Sequence, residues 1–378
     1  MQILLLSNFR EDEQKSMLRF GSLLKKNCNN PEIEIFEIYP KSHLERFCLR
    51  SKLKKWGGYF DKYIIFPRII QSLLQKKPPF DLIHLIDHSN AVYLPKMSQY
   101  CSTPTLTTCH DLIAIRTALG DFPAAPVTSA KGKRLQHWIR KSFEHSDFYA
   151  CDSQETKRDL SEVVPRSKNR SQVIHLGTET VLESNSSLHS SFAFNLEKTK
   201  FALHVGSDAW YKNRKALFHA FKFFCENNRE STFKLVVVGP KIQTHELDSQ
   251  LVNWLRQNRH KVIFLFNITE TELQLLYQHA ALFIFPSIIE GFGWPPLEAR
   301  ANGCPTITTK TGAIFEILGN EALYIEPNDQ RELNLSIQKL LRKPLNKKPI
   351  KSLPSNEDCR RNYADFYKKA VSSFQIQN

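Results

Sequence analysis

Two carboxylates, Glu290 and Glu298, flank a glycine-containing loop in the second half of the chain, with seven residues between them. A buried strand that leads through a glycine loop into a helix N-terminus presents unpaired backbone N–H groups to an anion. Carboxylates beside a phosphate would repel it, so the glutamates are better suited to accept hydrogen bonds from neutral hydroxyls. A ligand that offers both phosphate and hydroxyls is a nucleotide sugar. Alternatively, Glu290 is a solvated loop residue and Glu298 interacts with the helix dipole.

The elements that must position this loop are predicted from residues 281–307, AALFIFPSIIEGFGWPPLEARANGCPT. The apolar run Ala281–Pro286 predicts a buried strand. Pro295 and Pro296 fit the first turn of a helix, where a missing N–H is tolerated. That helix is predicted to end at Gly303, because glycine suits the left-handed cap position. A second strand follows at once.

Lys212 is a candidate phosphate ligand in the same half of the chain. In the segment FALHVGSDAWYKNRKAL, a predicted strand over Phe201–Val205 ends at Gly206, and Lys212 stands where the next helix begins. A lysine at such a junction is a point charge on a flexible stem and suits a phosphate group. The alternative is an ordinary solvated lysine at a helix start.

Short apolar runs alternate with helical patterns along the whole chain, which indicates parallel, doubly wound sheets. We therefore predict an α/β fold class with two tandem Rossmann-like doubly wound parallel-sheet domains and an interdomain cleft at the carboxyl ends of the strands. The strands are predicted at Ile3–Leu6, Ile33–Tyr39, Leu82–Asp87, Thr105–Thr108, Phe148–Cys151, Val173–Leu176, Phe201–Val205, Lys234–Val238, Val262–Phe266, Leu282–Pro286, Thr306–Thr309 and Leu323–Ile325.

The domain limits follow from a Ser-rich stretch without a core pattern. The N-terminal domain is predicted over 1–178, a linker over 179–197 and the C-terminal domain over 198–354. A last amphipathic helix in 355–378 is expected to pack back on the N-terminal domain.

Length and composition limit the class of protein to which this chain can belong. A chain of 378 residues exceeds one ordinary core, and 41% hydrophobic with 24% charged residues is typical of a globular protein. The eight cysteines are scattered without a Cys-x-x-Cys pair, which argues against a zinc or disulfide framework and for a reducing cytoplasm. The start, MQILLLSNFR, resembles a buried strand more than a signal peptide, and no apolar run is long enough to span a bilayer.

The net charge of +14 requires an explanation. Basic residues cluster in the first half, at Lys52–Lys55, Lys76–Lys77 and Lys131–Lys141. No nucleic-acid-binding signature accompanies them. The segment Phe47–Leu74 mixes basic with aromatic residues, a pattern that suits a membrane interface, although a solvated helix face fits equally. Peripheral contact with an anionic membrane at the inner face is therefore a hypothesis.

The loop and Lys212 together resemble the retaining glycosyltransferases of the GT-B fold, specifically glycosyltransferase family 4. The hallmark is a strand ending in Pro-Ser, then two glutamates separated by seven residues, then a Gly-x-Pro turn. Here these are Pro286-Ser287, Glu290 to Glu298, and Gly303-Cys304-Pro305. Weaker matches extend the resemblance over most of the chain, at His110-Asp111 and residues 151–157, 173–177, 211–213 and 321–327.

The resemblance implies a role for each matched residue. Glu290 would bind hydroxyls of the donor sugar, and His110 would face that sugar from the N-terminal domain, although a histidine that ends an apolar strand is often structural. Glu298 would hold the ribose, Lys212 the diphosphate, and the Ile268 backbone is a weak candidate for the nucleobase. The backbone N–H groups that would contact sugar and diphosphate are those of Gly291, Phe292, Gly293 and Trp294.

Two departures from the family pattern affect these roles. Ser207 stands where most relatives have an arginine that shares the phosphate charge, and Arg214 could replace it from the next helical turn. The N-terminal glycine-rich loop of many relatives is also missing, since Ser-Asn-Phe-Arg follows Leu6. How the N-terminal domain handles the acceptor is therefore open.

The implied function is transfer of a sugar from a nucleotide-diphosphate-sugar donor to a saccharide or lipid-linked saccharide acceptor, in the synthesis of cell-surface polysaccharide or glycoconjugate. No cofactor besides the donor is expected, and no metal, because no Asp-x-Asp pair lies near the loop. The alternatives are another GT-B activity, such as a nucleotide-sugar epimerase, and a catalytically weak nucleotide-sugar-binding or membrane-surface scaffold.

Overall fold

The computed structural model describes residues 1–12, 14–26, 32–44, 51–76, 80–178, 192, 194–228, 230–240, 247–343, 348–350 and 352–377, with the backbone alone at 51–55 and 377. Most of the predicted linker, 179–191 and 193, lies outside these residues. The described chain divides into two compact units, one formed by Met1–Leu176 with Asn356–Asn378 and the other by Gly177–Ser355.

Each unit contains one six-stranded sheet whose paired strands all run parallel. The strands of the first unit are β1 Gln2–Leu6, β2 Glu34–Ile38, β3 Leu82–Leu85, β4 Thr105–Cys109, β5 Phe148–Cys151 and β6 Ser171–Val173. Those of the second are β7 Phe201–Val205, β8 Lys234–Val238, β9 Val262–Leu265, β10 Leu282–Phe285, β11 Thr306–Thr308 and β12 Leu323–Tyr324.

Helices connect successive strands, as a parallel sheet requires. In the first unit they are α1 Lys15–Lys25, α2 Ser51–Phe60, α3 Phe66–Lys76, α4 Leu94–Met97, α5 Ile113–Leu119, α6 Ala130–Phe143 and α7 Gln154–Val163. In the second they are α8 Arg214–Asn227, α9 Ser249–Gln257, α10 Glu270–His279, α11 Trp294–Ala301, α12 Ile314–Leu318 and α13 Gln330–Arg342. A last helix, α14 Asn356–Gln377, returns to the first unit.

The strand orders place one reversal point in each sheet. The first unit has the order β2-β1-β3-β4-β5-β6, so its direction reverses between β1 and β3. The second has β12-β11-β10-β7-β8-β9, so its direction reverses between β7 and β10. At such a point the two connecting loops lead away to opposite faces and leave a crevice at the carboxyl ends, where doubly wound sheets bind ligands.

Strands β3 and β10 are buried throughout and β1 is buried after Gln2, which explains their predominantly apolar sequences. In the first unit a buried polar network also joins α14 to the sheet. Tyr367 Oη lies 2.7 Å from His84 Nδ1, and His84 Nε2 lies 2.8 Å from Thr108 Oγ1. Tyr363 Oη lies 3.1 Å from the same threonine oxygen. These bonds satisfy groups that would otherwise be costly to bury.

The structure confirms the predicted fold class of two tandem doubly wound parallel sheets. The predicted strand over Val173–Leu176 was displaced, because the strand occupies Ser171–Val173 and ends where the prediction began. Residues 174–176 remain mostly buried beyond the ladder, and burial gave them the apolar pattern of a strand. Among the residues described, no helix combines the length and the apolar character that crossing a membrane would need.

Candidate active site

Lys212 and Glu290 meet at the reversal point of the second sheet. Lys212 follows β7 and Glu290 follows β10, and these strands are neighbours. Lys212 Nζ lies 2.7 Å from Glu290 Oε1. The side chains are only 14% and 8% exposed, so Glu290 is not a solvated loop residue. The lysine ammonium lies over two aromatic rings, with Nζ 5.0 Å from the centroid of Phe285 and 5.4 Å from that of Tyr211.

The loop that carries Glu290 is fixed by its neighbours. The Glu290 N–H donates to Thr311 Oγ1 at 3.0 Å, and the Ile288 N–H donates to the Tyr211 carbonyl at 2.7 Å. Gly312 has φ +58°, and a Cβ there would lie 2.8 Å from the Glu290 carbonyl oxygen. Only glycine therefore lets the loop after β11 support the Glu290 backbone so closely.

Helix α11 begins at Trp294, three residues before the predicted helix core, after Gly293 with φ +88°. Pro295 and Pro296 occupy its first turn and have no N–H to donate. Backbone donors at this end of the helix must therefore come from residues 291–294. The Trp294 indole N–H donates to the Gly177 carbonyl at 3.0 Å, within the same unit. Gly303 has φ +76° just after the helix, as predicted for the cap.

Glu298 lies in the second turn of α11, on the side that faces α10. Its Oε2 accepts a hydrogen bond of 3.2 Å from the buried Tyr277 hydroxyl. Glu298 is therefore not in the first turn, where a helix dipole would hold a carboxylate best. The tyrosine fixes one carboxylate oxygen in place.

Arg214, the candidate replacement for the arginine that Ser207 displaces, reaches the end of β8. Its Nη1 donates to the Pro240 carbonyl at 2.7 Å, beyond the end of β8, whereas Lys212 is directed to the β10 side of β7. The guanidinium is buried, and its Nε and Nη2 have no hydrogen-bond partner among the described residues. Burial lowers the pKa of Arg214. These two nitrogens form one edge of the guanidinium, a fork suited to a planar or tetrahedral acceptor pair.

The remaining two candidates of the second unit are more exposed. Ser207 is exposed, and its Oγ lies 3.5 Å from the Ala209 N–H. Ile268 follows β9, after Asn267 with φ +51°. In the sheet order, β8 lies between β9 and β7, so Ile268 and Lys212 stand two strands apart along the carboxyl edge.

His110 is a buried cation of the first unit. Its Nδ1 lies 2.7 Å from Asp152 Oδ2, and its Nε2 lies 2.8 Å from the Ile86 carbonyl. Burial alone would lower the pKa of His110, but the nearby carboxylates of Asp152 and Asp87 and the Ile86 carbonyl raise it to about 9. Both ring nitrogens therefore donate to the protein. A direct bond to a sugar would require Nε2 to leave the Ile86 carbonyl.

The reversal point of the first sheet is occupied by amides where the glycine-rich loop is missing. Asn8, after β1, donates from Nδ2 to Asp87 Oδ2 at 2.9 Å and to Gln14 Oε1 at 2.6 Å. Asn90 donates to Asn8 Oδ1 at 2.7 Å. These side chains connect the loops after β1 and β3.

Several site residues escaped the sequence analysis. His204, fully buried in β7, donates from Nδ1 to the Ile284 carbonyl at 2.9 Å, while Nε2 has no partner among the described residues. Burial lowers the pKa of His204 to about 3, so the ring is neutral and Nε2 is an acceptor. The sequence feature that could have identified His204 is a histidine within an otherwise apolar strand. Thr311, Gly312 and Tyr277 act only through long-range contacts and gave none.

The fold and the switch-point site define a GT-B protein with two Rossmann-like units. Two family models match the chain, "Glycosyltransferase Family 4" over residues 39–182 and "Glycosyl transferases group 1" over residues 189–362. The chain therefore belongs to the family 4, group 1 glycosyltransferases.

Two curated relatives and one solved structure illustrate this membership. The O-antigen chain mannosyltransferase RfbU of Salmonella typhimurium is 32% identical over 160 residues, which cover 42% of this chain and 44% of the relative. The serotype-specific mannosyltransferase WbdA of Escherichia coli is 24% identical over 78% of this chain and 36% of its own length. The matched regions thus span less than half of both relatives. Sucrose-phosphate synthase from Thermosynechococcus elongatus shares the fold, with a TM-score of 0.76 at 16% identity over 99% of this chain and 100% of its own.

Proposed function

We propose that this protein is a retaining glycosyltransferase that moves a hexose from a nucleotide-diphosphate-sugar to a saccharide or lipid-linked saccharide acceptor, in the synthesis of cell-surface polysaccharide or glycoconjugate. The observation that carries the proposal is the Lys212–Glu290 pair at the reversal point of the second sheet. The names of the relatives, which are mannosyltransferases of O-antigen or serotype-specific chains, support the substrate class.

The candidate residues follow the carboxyl edge of the sheet in an order that fits such a donor. Ile268 follows β9, Arg214 reaches the end of β8, Lys212 follows β7 and Glu290 follows β10. Neighbouring strands are roughly 4.8 Å apart, so this edge has the length of an extended nucleotide sugar. The nucleobase would lie near Ile268, and the sugar would lie beside Glu290.

The chemistry follows from the charge that develops. Breaking the bond between C1 and the phosphate oxygen leaves an oxocarbenium-like sugar and increases the negative charge on the diphosphate. Lys212, the fork of Arg214 and the N–H groups of residues 291–294 would stabilise that charge, and the Ser207 hydroxyl could donate beside them. Glu290 would accept from sugar hydroxyls, and Glu298 from the ribose. His110 belongs to the first unit, the proposed acceptor-side domain, where Asp152 and the Ile86 carbonyl hold its ring.

A donor screen followed by a transfer assay tests the proposal. Thermal shifts with UDP-, GDP- and ADP-sugars identify the donor, because a ligand that binds only the folded state raises its apparent stability. Release of the nucleoside diphosphate then measures turnover, and NMR of the product reports whether the anomeric configuration is retained. Donor binding without turnover on any acceptor would instead favour the scaffold alternative.

Substitutions localise the activity. We expect Lys212→Ala and Glu290→Ala nearly to abolish transfer, since removing one such electrostatic group typically costs roughly 10²–10³-fold in rate. Lys215→Ala, which removes an exposed lysine of α8, is the matched control and should leave transfer unchanged. A Lys212 or Glu290 variant that is folded and retains more than half of the activity would refute the assignment.

One surface of the first unit has exposed apolar residues beside basic ones, and we propose that it makes peripheral contact with an anionic membrane. A continuous helical run, 51–76, places Trp56, Phe60 and Ile64 four residues apart, and all three are exposed. Lys131 of the basic helix α6 lies 5.8 Å from the Trp56 ring. Exposed aromatic residues beside lysines are suited to the headgroup region of a bilayer.

Vesicle sedimentation tests this contact. At low salt, the protein should sediment with phosphatidylglycerol vesicles and remain in solution with phosphatidylcholine vesicles. A Trp56→Ser/Phe60→Ser variant should lose that binding, whereas Phe223→Ser, which removes an exposed aromatic residue of the second unit, should retain it. If both variants sediment equally, Trp56 and Phe60 take no part in binding the vesicles.

A further inference from the structure

A second concave site lies in the first unit, at the free edge of its sheet. In the part of the chain that the structure describes, strand β6 pairs with β5 alone, and no strand lies along its other edge. Between that edge and α14 lies a groove of about 440 Å³, a volume within the range of small-molecule sites. Phe148 and Phe366 contribute to its lining, with ring centroids 6.4 Å apart in an edge-on contact. None of the glycosyl-transfer residues proposed above lines this groove.

The groove is cationic. Lys157, Arg170 and Lys369 line it, and its described lining includes no carboxylate. Lys368, the neighbour of Lys369 on α14, instead forms an ion pair of 2.6 Å with Glu32 and does not line the groove. Three cations around one concave surface concentrate positive potential and attract an anionic ligand.

Uncharged hydrogen-bonding groups alternate with the cations. Gln154, Asn169 and Gln172 place amides along the lining, and Ser171 and Ser373 place hydroxyls. The Ser171 Oγ is itself buried, so the amides and the Ser373 hydroxyl are the neutral groups that the lining offers to a ligand. Amides and hydroxyls both donate and accept, which matches a ligand rich in hydroxyl groups.

We propose that this groove binds an anionic saccharide, with its carboxylate or phosphate ester on the three cations and its hydroxyls on the amides and Ser373. An acidic peptide fits the charge equally, but adding a strand to β6 would use an edge of only three residues. Strand addition relies on backbone hydrogen bonds, so it would leave the side-chain amides and hydroxyls of the groove without a role. The groove would give the first unit a place to hold a charged glycan apart from the residues proposed for sugar transfer.

The test measures binding to the full-length protein by isothermal titration calorimetry. A galacturonate oligosaccharide and mannose 6-phosphate present the anion as a carboxylate or a phosphate ester, and a neutral galactose oligosaccharide of equal length is the comparison. We expect at least one charged sugar to bind more tightly than the neutral one. Lys369→Ala should weaken that binding about tenfold, close to the 1.4 kcal/mol of one charge-assisted hydrogen bond, and Lys368→Ala should not.

A second variant separates the hydroxyl contacts from simple charge attraction. Gln172→Ala keeps the net charge and should weaken the binding of the charged saccharide while leaving the binding of inorganic phosphate unchanged. Equal effects of Lys369→Ala and Lys368→Ala would overturn the proposal, as would equal affinity for charged and neutral sugars. A poly-glutamate peptide that displaces the saccharide and binds more tightly would assign the groove to acidic peptides instead.

Discussion

Lys212 Nζ lies 2.7 Å from Glu290 Oε1, although 78 residues separate these side chains in the sequence. Both are largely buried, so the ion pair is little screened by water. In the proposed function, the lysine binds diphosphate and the glutamate binds sugar hydroxyls. The Lys212–Glu290 ion pair therefore competes with donor binding, because each side chain has to leave the other to contact the donor. The ion pair can re-form once the sugar has left.

This competition predicts opposite effects of Glu290→Gln on product binding and on transfer. Removal of the carboxylate charge leaves Lys212 free for the diphosphate, so the nucleoside diphosphate should bind about tenfold more tightly, a gain of about 1.4 kcal/mol. Transfer should fall by roughly 10²–10³-fold, because the neutral amide oxygen of glutamine accepts hydrogen bonds from the sugar hydroxyls less strongly than the carboxylate does. Calorimetry with UDP, GDP and ADP, together with steady-state kinetics, measures both. Glu270→Gln, an exposed change of equal charge in the same unit, should alter neither; an unchanged product affinity in Glu290→Gln would contradict the competition.

The Tyr277 hydroxyl is predicted to act through Glu298. Tyr277→Phe removes the 3.2 Å hydrogen bond and keeps the ring, which packs edge-on against Phe283. Because Glu298 is proposed to hold the ribose in both ground and transition states, KM for the donor should rise about three- to tenfold with kcat nearly unchanged. Tyr324→Phe is the matched control, since the Tyr324 hydroxyl is buried without a partner among the described residues. A fall in kcat with constant KM would argue against a binding role for Glu298.

Gly312→Ala is predicted to damage both stability and donor binding. At φ +58° an added side chain is strained, and its Cβ would displace the Glu290 carbonyl 2.8 Å away. Gly120→Ala, at a left-handed position of the first unit with φ +94° and nothing within 4 Å of its Cβ, isolates the backbone strain. Urea unfolding should give a loss of about 1–2 kcal/mol for Gly120→Ala and a larger loss for Gly312→Ala. Only Gly312→Ala should reduce the thermal shift by the donor; equal shifts in both variants would show that Gly312 does not support Glu290.

His110 makes the free energy of unfolding depend on pH. Its pKa is about 9 in the folded protein, raised by Asp152, Asp87 and the Ile86 carbonyl against the opposing effect of burial, and about 6.5 in an unfolded chain. Between these values the folded state binds more protons, so the stabilisation is complete below pH 6.5 and is lost as the pH rises through 9. Urea unfolding from pH 6 to 10 should therefore show a decline that is shallower in His110→Asn. Substitution of the exposed His137 by Asn should keep the wild-type slope, and identical slopes in wild type and His110→Asn would contradict this pKa.

The sequence predicted the strands of the second sheet closely because their cause is local. A buried parallel strand needs a continuous apolar run, and Phe201–Val205 and Lys234–Val238 occur as predicted. The strand predicted at Val173–Leu176 was displaced because burial beyond a sheet edge produces the same apolar pattern as pairing within it. The glycines and prolines near Glu290 and Lys212 likewise predicted that both residues lie on loops after strands.

By itself, the sequence determined the α/β class, the glycine loop between two glutamates and the lysine between a strand and the next helix, because each depends on residues close together in the chain. Tertiary structure decided what these residues contact. It placed β10 beside β7, so that Lys212 meets Glu290, and it directed Arg214 to Pro240 on the other side of β7. It also committed both nitrogens of His110 to Asp152 and Ile86. Strand order and side-chain direction depend on packing between segments far apart in the chain, and local periodicity does not predict that packing.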